Sequence, residues 1–268
     1  MRTALRALPI ALVSAALLLT ACGKSRAAGT PPPGRTGLPA TPTPTISGTA
    51  TRTASASPVP GRSATPAASG ATVVPSGRAA DNAYFLAPLD KTVGLPQGFV
   101  PPGLTPVPRA YSYYSSGISI RSDVLSGLKG LVDAAQKGGV TLLVFSCYRS
   151  YDLQLAIWSS DVKQYGLAKT EQMDAPPGHS EHQLGTACDF TNAGTKNPVD
   201  QGWGETAAGR WMAAGAWKYG WALSYPRGEE ASTGYEYEPW HFRYIGVDLA
   251  RRWHDSGLTL VQLLRGLG

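Results

Sequence analysis

The chain has 268 residues, 43% of them hydrophobic, and a formal charge of +6, with a sequence pI of about 9.3. Eight lysines and arginines and no carboxylates fall within residues 1–80, so residues 81–268 carry a net charge of about −2. A nucleic-acid-binding role, which the overall basicity invites, therefore loses its support.

Arg2 and Arg6 precede an apolar run from Ala11 to Leu19. The run is too short for a comfortable membrane span and has the shape of a signal-peptide core, so residues 1–21 read as a leader. Its end, Leu19-Thr20-Ala21-Cys22, resembles a bacterial lipoprotein signal, in which Cys22 takes the lipid and becomes the mature N-terminus. An ordinary secretory signal beside a coincidental cysteine is the alternative. Both place the mature chain outside the cytoplasm, and the first anchors it to the cell membrane. Residues 22–80 are rich in Pro, Thr, Ser, Ala and Gly and contain no aromatic residue. Such a segment buries too little surface to offset its chain entropy, and a disordered stalk is expected, stiffened at Pro31, Pro32 and Pro33.

Residues 81–268 are the right size for one domain with its own core, expected to be monomeric. Tyr84 to Tyr114 is rich in Pro and Gly and reads as an irregular lead-in on the domain surface. Ser122 is placed to cap a helix carrying Val124, Leu125, Leu128, Leu131 and Val132 on one side, with Gly138-Gly139 as its stop. Thr141 to Phe145 reads as a buried strand. Ser150 caps a second helix, with Leu153, Ile157, Trp158 and Val162 at helical spacing, and a third helix runs from about Thr206 to Tyr219. Strands suit Thr186 to Thr191, Trp221 to Ser224 and Trp240 to Ile245, and two short helices, around Val247 to His254 and Thr259 to Leu264, close the chain. The fold class is α+β, a single domain with a central antiparallel sheet flanked by helices.

The stretch Pro177-Gly178-His179-Ser180-Glu181-His182-Gln183-Leu184-Gly185-Thr186-Ala187-Cys188-Asp189 holds two of the four histidines and a carboxylate, and His241 follows in Glu238-Pro239-Trp240-His241. Two imidazoles and one carboxylate make an open three-ligand zinc site, with a fourth position left for water. Gly178 and Gly185 oppose a helix here, so the motif sits in a loop and strand, unlike the helical His-Glu-x-x-His of many metalloproteases.

Three blocks, Ser146-Cys147-Tyr148-Arg149-Ser150, Gly178-His179-Ser180-Glu181-His182 through Asp189, and Glu238-Pro239-Trp240-His241, resemble the signatures of the VanY-type D-alanyl-D-alanine carboxypeptidases. The resemblance covers roughly Asp81 to Ile245; Cys147 and Cys188 depart from the usual pattern. It implies His182, Asp189 and His241 as zinc ligands, Glu238 as general base and Arg149 as the stabiliser of the oxyanion. It also suggests Gln154, Ser180 and Trp240 as substrate contacts, although a hydroxyl bonding its own turn suits Ser180 equally. His179 reads as lying outside the ligand set, which Asp189 completes. Glu181 reads as a solvated or loop-fixing carboxylate, and His254 as a residue of a solvated face.

With Cys22 lipidated, Cys147 and Cys188 remain as an even pair in an oxidising compartment. They form a disulfide if their strands are neighbours; otherwise they are two free buried thiols. Alternation along the strand points Cys188 away from the face of Asp189, against a ligand role. The expected activity is removal of the terminal D-alanine from peptidoglycan stem peptides. An L,D-carboxypeptidase acting on tetrapeptide stems and a non-catalytic, zinc-stabilised wall-binding module are the alternatives. A D,D-dipeptidase fits less well, since its substrate is cytoplasmic.

Overall fold

The computed structural model describes residues 72–73, 84–114, 117–195 and 197–267. The expected leader, Cys22 and nearly all of the expected stalk lie outside them. The strands are β1 (Thr72–Val73), β2 (Val93–Gly94), β3 (Leu104–Pro106), β4 (Ser119–Arg121), β5 (Leu143–Ser146), β6 (Ala187–Thr191), β7 (Trp221–Leu223) and β8 (His241–Tyr244). The helices are α1 (Leu125–Lys137), α2 (Tyr151–Tyr165), α3 (Leu167–Met173), α4 (Ala207–Gly215), α5 (Glu230–Thr233), α6 (Val247–Ser256) and α7 (Leu260–Arg265).

The central sheet has the order β5-β6-β8-β7, with every neighbouring pair antiparallel. Its two faces differ because successive side chains point to opposite sides. On one face Cys188, Phe190, Trp221 and Phe242 join Leu128, Leu131, Val132 and Ala135 of α1 and Met212 of α4 in the main core. Asp189, His241 and Arg243 therefore stand on the other face. Ser146 pairs with Asp189, and Asp189 with His241, so the chemistry lies at one level across three strands.

The α+β architecture with a central antiparallel sheet is as expected, and several local expectations change. The lead-in is a working part of the fold, since Tyr84, Ala87, Leu89, Leu95 and Phe99 form a second core with Leu184. Thr72 and Val73, assigned to the stalk, pair in parallel with Val93 and Gly94. The hydroxyl of Ser122 caps nothing, because α1 begins after Val124 with no side-chain cap. Ser150 does cap α2, accepting from the Leu153 amide, yet Leu153 is 43% exposed. The buried stripe of α2 is Gln154, Ile157 and Asp161, so polar residues occupy the face on which apolar periodicity was sought. The third helix divides into α4 and a 3₁₀ turn at Ala216–Tyr219, and α3 was not foreseen. Thr259 closes a capping box with Gln262 at the start of α7.

Candidate metal centre

His182 lies in a 3₁₀ turn, Glu181–Leu184, whose start is fixed by the Ser180 hydroxyl accepting from the His182 amide. Gly185 ends the turn with φ +69°, and a Cβ there would lie 3.0 Å from Arg121 Cγ and 3.1 Å from Pro101 Cγ. This left-handed, crowded position suits glycine and reverses the chain into β6, which brings His182 back to Asp189. The lead-in holds the turn from outside: the Gln183 amide donates to the carbonyls of Pro96 and Phe99.

The imidazole of His182 donates from Nδ1 to the Cys147 carbonyl at 2.6 Å, because a carbonyl can only accept. Its Nε2 is thereby left with a lone pair and lies 3.3 Å from Asp189 Oδ2. His241 presents Nδ1 to Asp189 Oδ1 at 3.1 Å and Nε2 to Glu181 Oε2 at 3.1 Å. One ligand atom from each of His182, Asp189 and His241 lies within 4.8 Å of the others. The three residues are almost fully buried.

Glu238 Oε2 is 3.7 Å from His241 Nδ1, on the same pocket as Arg149, Asp174, Ser180, Tyr225, Tyr235 and Trp240. Arg149 holds Nη2 3.8 Å from Asp189 Oδ2 and donates from Nη1 to Gln154 Oε1 at 2.8 Å.

Electrostatics follow from burial and pairing. Burial raises the Asp189 carboxyl, but the two histidines outweigh it and hold the group well below the usual range. Burial likewise acts to raise Glu181, and Arg243, His241 and Ser224 bring it down to about 2. Burial lowers His182, helped by the charge of Arg149. Burial also acts to lower His241, but hydrogen bonds to Asp189 and Glu181 push it up to about 10.

The donor set fits zinc: a neutral imidazole with a lone pair fixed outward, a buried ionised carboxylate and a second imidazole, which is the nitrogen and oxygen chemistry of an open zinc site. His182, Asp189 and His241 would hold the ion.

A family model for VanY, D-alanyl-D-alanine carboxypeptidase, matches residues 117–247. The LdcB LD-carboxypeptidase is 36% identical with a TM-score of 0.64, over 70% of this chain and 88% of its own. The chain belongs to the VanY family. A mutant of the vancomycin resistance D,D-pentapeptidase VanY, solved in complex with Zn(II), shares 30% identity and a TM-score of 0.56, over 68% of this chain and 99% of that one. "Putative carboxypeptidase YodJ" of Bacillus subtilis (strain 168) is 38% identical over 179 residues, 66% of this chain and 65% of its own length. The chain spans less than two thirds of the curated relatives it matches.

Against this VanY-family site, the sequence-derived residues divide. His182, Asp189, His241, Glu238, Arg149, Ser180 and Trp240 converge on one pocket. Gln154 is only 1% exposed; its Oε1 accepts from Arg149 Nη1 and its Nε2 donates to the Ala175 carbonyl. It stands behind Arg149 instead of lining the pocket. His179 sits apart, bonded through Nδ1 to the Asp90 carbonyl. Glu181 is not solvated: it is 4% exposed and joined to Ser224, His241 and Arg243. His254 is exposed as expected, with its ring stacked on Trp217. Cys147 and Cys188 are joined by a disulfide directly behind the site, so Cys188 is no ligand. Sequence reasoning missed Tyr225, Tyr235 and Asp174 in the pocket wall. The one available signal was the nearness of Tyr235 to Glu238.

Proposed function

We propose that this protein is a zinc-dependent D,D-carboxypeptidase that removes the terminal D-alanine from peptidoglycan stem peptides ending in D-Ala-D-Ala. The observation that carries the reading is that Glu238 and Arg149 line one pocket with His182, Asp189 and His241, Glu238 Oε2 lying 3.7 Å from His241 Nδ1 and Arg149 Nη2 3.8 Å from Asp189 Oδ2. A purely structural zinc site closes its fourth position with protein, whereas this one faces a general base and a cation.

Held by His182, Asp189 and His241, zinc would supply Lewis acidity to polarise the substrate carbonyl and make water a better nucleophile. Glu238 Oε2 takes the proton of the attacking water and returns it to the leaving amine of D-alanine, so one proton crosses from water to product. Arg149 stabilises the negative charge that develops on the carbonyl oxygen, and Gln154 fixes the plane of its guanidinium. Asp189 and Cys147 orient His182. Ser180, Trp240 and Tyr235 bound the space for the terminal residue; the Tyr235 hydroxyl is buried with no hydrogen-bond partner among the described residues. Burial, with Glu238 among the nearby carboxylates, raises its pKa, so it remains a neutral donor.

The leader, lipidation at Cys22 and the 22–80 stalk complete the reading: a monomeric enzyme tethered to the outer face of the membrane within reach of the wall. A second reading, an L,D-carboxypeptidase acting on tetrapeptide stems, draws on the likeness to the LdcB LD-carboxypeptidase. The test uses the purified full chain, zinc-loaded, with pentapeptide and tetrapeptide muropeptides and alanine release read by mass spectrometry beside Glu238→Ala. Release from the pentapeptide alone, absent in the variant, supports the D,D reading, and release from the tetrapeptide alone moves the assignment to the L,D reading. Zinc binding without release from either points to the wall-binding module.

A further inference from the structure

Imidazole can bind a metal through either nitrogen, and the one that does so is set by what holds the other. At His241 that holder is Glu181. An ionised carboxylate only accepts, so the 3.1 Å contact commits the Nε2 proton to Glu181, while Nδ1 faces Asp189 Oδ1, a fellow member of the ligand cluster, and gives up its own proton when a metal binds.

Glu181 is itself fixed at both oxygens. Oε2 also accepts from the Ser224 hydroxyl at 2.6 Å, and Oε1 accepts from Arg243 Nη1 at 2.9 Å. Arg243 is fully buried and donates to the carbonyls of Ala87, from Nη1 at 2.9 Å, and Phe85, from Nη2 at 2.8 Å. Those carbonyls belong to the lead-in, ahead of the residues that match the family model. Arg243 and His241 stand two residues apart on β8 and share its face, so one carboxylate spans both. Because Glu181 adjoins His182, a single 3₁₀ turn carries one metal ligand and the anchor of another.

We propose that Glu181 is a positioning residue that selects Nδ1 of His241 as the metal-facing nitrogen, and that Arg243, seated on the Phe85 and Ala87 carbonyls, holds Glu181 in place. The lead-in is thereby part of the frame of the metal centre. The proposal rests on the zinc reading above.

The test measures zinc affinity of the full chain by competition with a chromophoric chelator, together with the visible absorption of the cobalt(II)-substituted protein. Glu181→Gln keeps an oxygen for Nε2 but sets an amide donor against Arg243 or His241. It is expected to weaken zinc binding about ten- to hundred-fold, to shift the cobalt bands, and to lower kcat with KM little changed. Ser224→Ala keeps the carboxylate and loses one hydrogen bond, with an expected weakening of about two- to five-fold. Wild-type affinity and an unchanged cobalt spectrum in both folded variants overturn the proposal. If Glu181→Gln does not fold, Ser224→Ala decides by the same criterion. A wild-type chain that binds no zinc overturns the functional reading instead.

Discussion

Replacing both Cys147 and Cys188 with alanine should cost the metal-free protein about 4 kcal/mol. The two residues are 41 apart in sequence, and the loop-entropy relation gives a closure term of about 13 cal/mol/K for a loop of that length, or about 4 kcal/mol at 25 °C. The metal-free form is the one to measure, because zinc bound to the native state would add its own linkage to the apparent stability. For a domain of this size the loss corresponds to a fall in Tm of roughly 10 °C. Urea unfolding of oxidised wild type and the double variant, followed by far-UV circular dichroism, reads the difference with m fitted for each chain, because the opened chain exposes more surface when unfolded. A second effect should accompany it. The Cys147 carbonyl holds His182 Nδ1, and Cys188 precedes Asp189, so loosening β5 from β6 loosens two ligands at once. Zinc affinity should fall in the double variant even at temperatures where it is fully folded. A double variant within about 1 kcal/mol of wild type would refute the loop argument, since that value is the scale of the two small side-chain changes alone.

Arg149→Lys should lower kcat by about two to three powers of ten, because an ammonium cannot both bond Gln154 Oε1 and present a second planar donor to the oxyanion; steady-state kinetics with KM unchanged would distinguish this from lost binding. Stability of the metal-free protein should fall on both sides of neutrality. Glu181, brought down to about 2 from an ordinary 4.5, contributes stability present above pH 4.5 and lost as pH falls toward 2. His241, raised to about 10 from 6.5, contributes stability present below pH 6.5 and lost as pH rises toward 10. A Tm of the metal-free chain that stays flat between pH 7 and pH 9.5 would contradict the His241 part. Gly185→Ala should destabilise by about 1–3 kcal/mol, from its left-handed backbone and the 3.0 Å approach of Arg121 Cγ; an unchanged denaturation midpoint would count against the crowding.

The chemistry was legible wherever residue type and function are tied closely, and the packing was not. His182, Asp189 and His241 could be read as one candidate donor set because zinc accepts few ligand types, and the fold brings their ligand atoms within 4.8 Å of one another; Ser150 could be placed by the local signature of a cap, while Ser122, read the same way, caps nothing. The α2 face was misread because its buried stripe carries Gln154 and Asp161. Periodicity finds apolar stripes, and a helix facing an active site need not have one. The lead-in was misjudged for a related reason. Prolines and glycines indicate irregular backbone, which is correct for Tyr84 to Tyr114, but irregular backbone still offers carbonyls. Those carbonyls find Arg243, His179 and Gln183, contacts that no local pattern encodes.

Glu181 shows why a motif underdetermines a site. Read in sequence it is a carboxylate between a serine and a histidine in a loop, and exposure is the ordinary fate of such a residue. What buries it is Arg243, sixty-two residues away, whose guanidinium is itself fully buried. Neither charge is tolerable there alone, since removing one partner of a buried pair leaves an uncompensated ion. Together they sit beneath His241, where the sheet register has already set Asp189 opposite it. The candidate ligand triad is thus fixed twice, by strand pairing at Asp189 and by a buried ion pair at Glu181. Only the first of these restraints can be foreseen from strand patterns, because the second depends on which distant arginine the fold delivers to that face.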